Sequence, residues 1–318
     1  MILGQVLRLA VPVILANMLQ SLVNIADVFL AGRLDPVAIA AVGMSSSIRM
    51  LVMVGIMAVT TGSMALAAQA RGTGDDRELS EVARQSLSLA VIMSLILGAL
   101  GFLGAKPLLT FLNSGGDPEA VALGTVYLQI LFGSTTFLLL NLTINSLMQG
   151  AGDTVTPLYL SGAMNVLNVG ISYLLMFGPG PFPELGVAGI AWGTALSSGL
   201  ASLAGLVIIY SGRNRVRLLP GSYQPNLERF RQILSIGVPS GLQGIARNGA
   251  QILVVRIVTS TAAGTYGASA LAIGLQVESL AFMPGLALSI AATSLVGQSL
   301  GAWQTRDARE RGNVALWV

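Results

Sequence analysis

Five ionisable side chains, Asp27, Arg49, Arg247, Arg256 and Glu278, stand inside stretches that are otherwise without charge. Such groups are costly in hydrocarbon and are kept there to carry a proton, hold an ion or pair with one another. The chain contains no histidine and no cysteine. Thiol nucleophiles, Cys/His metal sites and His-based general bases are therefore excluded. Proton uptake and release, or ligation of a small cation by a carboxylate and its polar neighbours, is the chemistry left. Asn24 precedes Asp27 by three residues on the same helical face. Glu278, with Gln243, offers a second acidic and polar pair near the other end of the chain. Each acid has a structural alternative: Asp27 caps its helix or pairs with Arg33, and Glu278 pairs with Arg247 or Arg256. The arginines would repel a cation if they lined its path, so they are expected to be paired or snorkelling, Arg256 above all.

The elements that must position these groups are membrane helices. Of 318 residues, 53% are hydrophobic and only 10% charged, with a mean hydropathy of +0.76. Soluble domains carry about 25% charged residues, so a soluble globular enzyme is excluded. A helix needs about 20 apolar residues to cross the hydrocarbon. Eight spans fit, roughly at 7–31, 40–70, 85–112, 120–149, 155–177, 186–210, 231–258 and 267–300, and a ninth starts at Asn313. Twelve of the 17 basic residues then fall on one side and only Arg33 and Lys106 on the other. This bias puts the N-terminus and the loops at 71–84, 213–231 and 306–311 in the cytoplasm. No cleavable signal peptide is read at the N-terminus. The loops are too short to hold a catalytic domain, and no nucleic-acid partner is expected.

The chain also repeats itself. RLAVP, ending at Pro12, returns as SIGVP, ending at Pro239, and AAQARG (67–72) returns as VGQSLG (296–301), at offsets of 227 and 229. Both copies start from basic loops, so the duplication is parallel, a design typical of transporters that rock two halves about a central site. The first copy occupies six spans and the second shows two and the start of a third. The expected domains are a six-helix lobe at 1–212, a basic linker at 213–230, and the start of a second lobe at 231–318. On repeat logic the chain is expected to be a fragment, incapable of transport alone. By the 229 offset the counterpart of Glu278 is Arg49.

Several segments in order resemble the multidrug and toxin extrusion (MATE) transporters. They are ADVFLAGRL (26–34), QGAGDTVTP (149–157), NVLNVGISYLLMFG (165–178), GVAGIAWGTALS (186–197) and ESLAFMPGLALSIAATSLVGQSLGA (278–302). The resemblance implies an all-α, polytopic, MATE-like fold of about twelve helices in two facing lobes, eight of them full here. It implies a monomeric antiporter in the cell membrane that expels bulky, often cationic organic compounds against protons or sodium, without a further cofactor. In such relatives an aspartate at the place of Asp27 belongs to a proton or cation site with an Asn and a second Asp on the fifth span. Here Asn168 is present, Ser172 stands where the second acid is expected, and Thr194 matches a polar member of the cluster. A rival reading is a lipid-linked oligosaccharide flippase of the same superfamily, to which Arg49 and Arg247 would offer basic groups for pyrophosphate.

Some roles are legible without any family. Gly150 and Gly152 permit a tight turn, Asp153 can cap the following helix, and Pro157 suits that helix's first turn. Gln298 can satisfy free carbonyls at the end of the eighth span, with Gln69 in the matching place. Met50, Met53, Met57 and Met64 fall near one helical face and read as packing more than as a soft lining for substrates.

Overall fold

The computed structural model describes residues 2–32, 36–112, 118–179, 181–212, 214–259 and 264–317. Within its helices, the side chains of 24–25, 27–32, 247–249, 255–256 and 275–281, among others, lie outside the described set. The described residues form ten helices: α1 (Ile2–Gly32), α2 (Pro36–Thr73), α3 (Asp76–Leu112), α4 (Pro118–Gly133), α5 (Thr135–Gly150), α6 (Val155–Phe177), α7 (Val187–Tyr210), α8 (Leu227–Thr259), α9 (Gly264–Gly301) and α10 (Thr305–Trp317). In hydrocarbon a backbone must satisfy its own hydrogen bonds, and the helix does so within one segment. Six helical stretches are long and apolar enough to span a bilayer, with a seventh if the bent α4–α5 pair is one span. Large apolar side chains such as Leu100, Leu103, Phe111 and Val207 face outward, as a lipid-facing surface requires.

Three features depart from the span reading. The expected fourth span, 120–149, is broken at Ser134, and α4 and α5 meet at 50°. The break falls at a Gly133–Ser134 pair, a common site of sharp kinks. There Ser134 Oγ and Thr135 Oγ1 both donate to the Leu131 carbonyl, at 3.0 and 3.2 Å. Second, α8 begins at Leu227, inside the expected linker, because Asn226 Oδ1 accepts from the amides of Glu228 and Arg229 at 3.0 and 3.3 Å. Third, the helix expected to start at Asn313 is α10, which starts at Thr305.

The junction between α5 and α6 follows the local reading. Gly152 has a φ of +82°, and Asp153 Oδ1 accepts from the amides of Val155 and Thr156 at 3.1 and 3.0 Å. Asn214 Nδ2 donates to Asp153 Oδ2 at 2.7 Å, which ties the segment after α7 to this turn. That segment is then strapped along α3. Buried Arg84 donates to Ser80 Oγ and the Leu219 carbonyl at 2.8 and 2.5 Å. Gln85 receives the Asn226 amide at 3.0 Å and donates to the Gln224 carbonyl at 2.9 Å. Gly221 leaves room for the Arg84 guanidinium, whose Cζ would stand 2.5 Å from a Cβ there.

The sequence repeat reappears as a pseudo-two-fold contact at the basic end. Gly72 on α2 packs on the Gln298 carbonyl of α9, and Gly301 on α9 packs on the Gln69 carbonyl of α2. Each contact is the image of the other under the 229 offset. A second pair of contacts is related in the same way. Val6 and Ala10 of α1 share a core with Ala287 and Ala291 of α9, while Gly62 packs on Ile233 and Gly237 on Ala58 where α2 meets α8. Gln298 Nε2 donates to the Gly150 carbonyl at 3.0 Å, joined by Ser294 Oγ at 3.1 Å. The glutamine thus satisfies a free carbonyl, as its position suggested, and links α9 to the end of α5.

Candidate functional site

A cavity of about 260 Å³ opens among α1, α2, α4, α5, α6 and α7. Helical periodicity explains its walls. From α2 come Arg49, Val52, Met53 and Ile56; from α6, Met164, Asn165 and Asn168; from α7, Thr194, Ser197 and Ser198. Gln20 and Val23 of α1 close another side. The α4–α5 bend exposes Ser134 and Thr135 to the space, with Asn141 further along α5. The wall therefore mixes aliphatic and methionine side chains with amides and hydroxyls, both kinds coming from the same helices.

Of the residues singled out from sequence, Asn168 and Thr194 are brought together: Asn168 Nδ2 donates to Thr194 Oγ1 at 3.1 Å and to Ser197 Oγ at 3.4 Å. Thr194 Oγ1 donates in turn to the Ile190 carbonyl at 3.2 Å. Ser172 lies one turn beyond Asn168, fully buried and outside the cavity wall, against Gly193, whose Cβ would occupy the place of the Ser172 hydroxyl. Asn24 and Asp27 follow Gln20 on α1, but their side chains lie outside the described residues, as do those of Glu278, Arg247 and Arg256. Gln243 is on α8 and exposed. Of the methionine stripe, Met53 lines the cavity, Met64 is buried in packing, and Met50 and Met57 are exposed.

Four of the ten buried polar atoms without a partner among the described residues belong to this wall: Asn141 Oδ1, both amide atoms of Asn165 and Asn168 Oδ1; a fifth, Ser172 Oγ, lies just beyond it. Unpaired buried polar groups are costly and mark places where a ligand, ion or water completes the bonding. Neutral oxygens of this kind can hold a monovalent cation or accept hydrogen bonds from a guest. Among the described residues, no group of three or more acids is placed to hold a metal ion. Sequence reasoning missed Asn141, Asn165 and Gln20, although the signal was present: three amides inside apolar runs.

Fold and site together define a polytopic helical membrane protein with a duplicated helical unit and a polar-walled cavity within the first copy. The chain belongs to the MatE family, which it matches over residues 12–174 and 239–318. It is 30% identical over 297 residues to a probable multidrug resistance protein NorM of Thermotoga maritima, covering 93% of this chain and 63% of that one. The chain spans 63–66% of the length of the first curated relatives it matches. Among solved structures, a MATE family multidrug resistance transporter in its outward-facing conformation aligns at a TM-score of 0.86 and 25% identity, covering 99% of this chain and 69% of that one. A MOP superfamily transporter from Pyrococcus furiosus aligns at 0.90 and 23% identity, with the same coverages of 99% and 69%. The all-α, MATE-like fold expected from the motifs is thereby established.

Proposed function

We propose that the protein is a secondary active antiporter of the cell membrane, exporting bulky organic compounds such as drugs in exchange for protons or sodium. The observation that carries this reading is the cavity of mixed apolar and polar lining among α1, α2 and α4–α7, with unpaired amide oxygens in its wall. Family membership and relatives named as multidrug resistance proteins support it. Residues 1–212 act as one lobe, 213–230 as a linker and 231–318 as part of a second. The basic end faces the cytoplasm, so the pseudo-two-fold contacts close that side while the lobes part toward the other. In this reading Asp27 carries the coupling proton or sodium ion, with Asn24, Asn168, Ser172 and Thr194 as neighbours, and Glu278 with Gln243 serves the second lobe. In this reading it works as a monomer. One positive charge moving across 100 mV releases about 2.3 kcal/mol, enough to drive about a fiftyfold gradient of a neutral solute.

The test is efflux of fluorescent organic probes from vesicles carrying the protein, with a proton or a sodium gradient imposed separately. Export that follows one gradient and stops when it is collapsed is the expected result. Probe movement indifferent to both gradients would refute antiport. The flippase reading draws on Arg49 and Arg247, while the family match and the relatives named as multidrug resistance proteins favour the exporter. Scrambling of a labelled pyrophosphate lipid in the same vesicles would reverse that preference.

A further inference from the structure

Arg49 is the only ionised side chain among the described residues of the cavity wall. By the repeat offset its counterpart is Glu278, whose side chain lies outside the described residues. Arg49 is half-buried in mid-helix, and among the described residues it joins neither of the two ion pairs, Arg71–Asp76 and Arg229–Glu81. Leaving a cation unpaired in a low-dielectric site is expensive, and an opposite charge arriving with a ligand offsets that cost. The neighbouring groups suit the same ligand. Asn165 keeps an unpaired amide N–H as well as its oxygen, and Asn141 Nδ2 spends its bond on the weak acceptor Met164 Sδ at 3.3 Å. Guanidinium and amide donors, interleaved with Val52, Met53, Leu138 and Leu142 along the same helices, make an amphipathic socket.

We propose that this cavity selects compact organic anions: a carboxylate held by Arg49, with its ring system against the aliphatic and methionine side chains. The proposal rests on the exporter reading and narrows its substrate class away from the cations that the family resemblance implies. The size suits a compact guest, because about 260 Å³ lies just below the ~300–1,000 Å³ of drug-sized pockets. A carboxylate is favoured over a spherical anion because guanidinium matches it with two parallel hydrogen bonds. The acid nearest in sequence to the cavity wall is Asp27 on α1, and Glu278 on α9 is the repeat counterpart of Arg49. The test below also decides whether an internal carboxylate already holds the guanidinium.

The experiment measures binding to the purified full chain in lipid nanodiscs, by calorimetry, of three matched probes: 2-naphthoate, neutral 2-naphthamide and the 2-naphthylmethylammonium cation. Naphthoate should bind at least about tenfold tighter than the ammonium. Arg49→Gln should bring naphthoate down to the level of the amide, with an unchanged thermal unfolding transition reporting an intact fold. Arg49→Lys should recover part of the loss, since it restores charge without the planar fork. Naphthoate binding no tighter than the ammonium in the unmutated protein overturns the proposal, whatever the variants do. So does Arg49→Gln with full naphthoate affinity, which would mean that an internal acid neutralises Arg49. In both cases gradient-driven efflux of the cationic probe would leave the exporter reading standing. Failure of all three probes to bind, with no efflux of any organic probe, would remove the exporter reading and the proposal together.

Discussion

Replacing Gly301 with alanine should force α2 and α9 apart at the basic end. A Cβ at 301 would lie 2.8 Å from the carbonyl carbon of Gln69, with the oxygen closer still. Non-bonded carbons rest at about 3.5–4.0 Å, so the axes must separate by about 0.7 Å or more at that point. Both parties are helix backbone, which cannot swing aside as a long side chain would. Overpacking of this kind costs about 1–3 kcal/mol. The pseudo-two-fold relation makes a sharper statement. A Cβ at Gly72 would lie 2.8 Å from the carbonyl carbon of Gln298, so Gly72→Ala should cost nearly the same as Gly301→Ala. One displacement relieves both clashes, so the double variant should cost less than the sum of the singles, because neighbouring sites couple. Thermal and denaturant unfolding of the protein in detergent measures all three. Trp303, exposed and two residues beyond Gly301, provides a local fluorescence signal. A loss confined to one of the two glycines, or strict additivity, would refute the claim that they form two halves of a single repeated contact.

Asp153→Ala removes the acceptor of two amides at the start of α6 and of the Asn214 side chain, so it should cost about 1–2 kcal/mol. Asp153→Asn should keep most of that stability in the same unfolding assay. Arg84→Met leaves the Leu219 carbonyl without its guanidinium donor, and trypsin cleavage in the 213–226 segment should accelerate about fivefold, the equivalent of about 1 kcal/mol of lost local stability. Asp27→Asn should uncouple export from the driving gradient while binding of organic probes persists, whereas retained coupling in Asp27→Asn, lost in Glu278→Gln, would move the coupling site to the second lobe.

The sequence by itself determined what depends on neighbours along the chain. Apolar runs become helices because hydrocarbon leaves the backbone no other partner. The QGAGDTVTP turn is legible because a positive φ at Gly152 and the Asp153 cap are local demands. Duplication could be read from Pro12 and Pro239 or from Gln69 and Gln298, since an offset is a property of the string. Even the Asn168–Thr194 pairing was in reach, through the motifs that carry the family resemblance. The bend at Ser134, the entry of Arg49, Asn141 and Asn165 into one cavity, and the reciprocal glycine contacts were decided by tertiary structure. In a membrane protein, lipid and core are both apolar, so hydrophobic periodicity does not tell which face of a helix looks inward. A polar or charged residue in an apolar run announces that something must receive it, but the receiving group lies on another helix. Only the packing of α2 against α4 and α5 shows that Arg49 joins a cavity wall with Asn141 and Asn165.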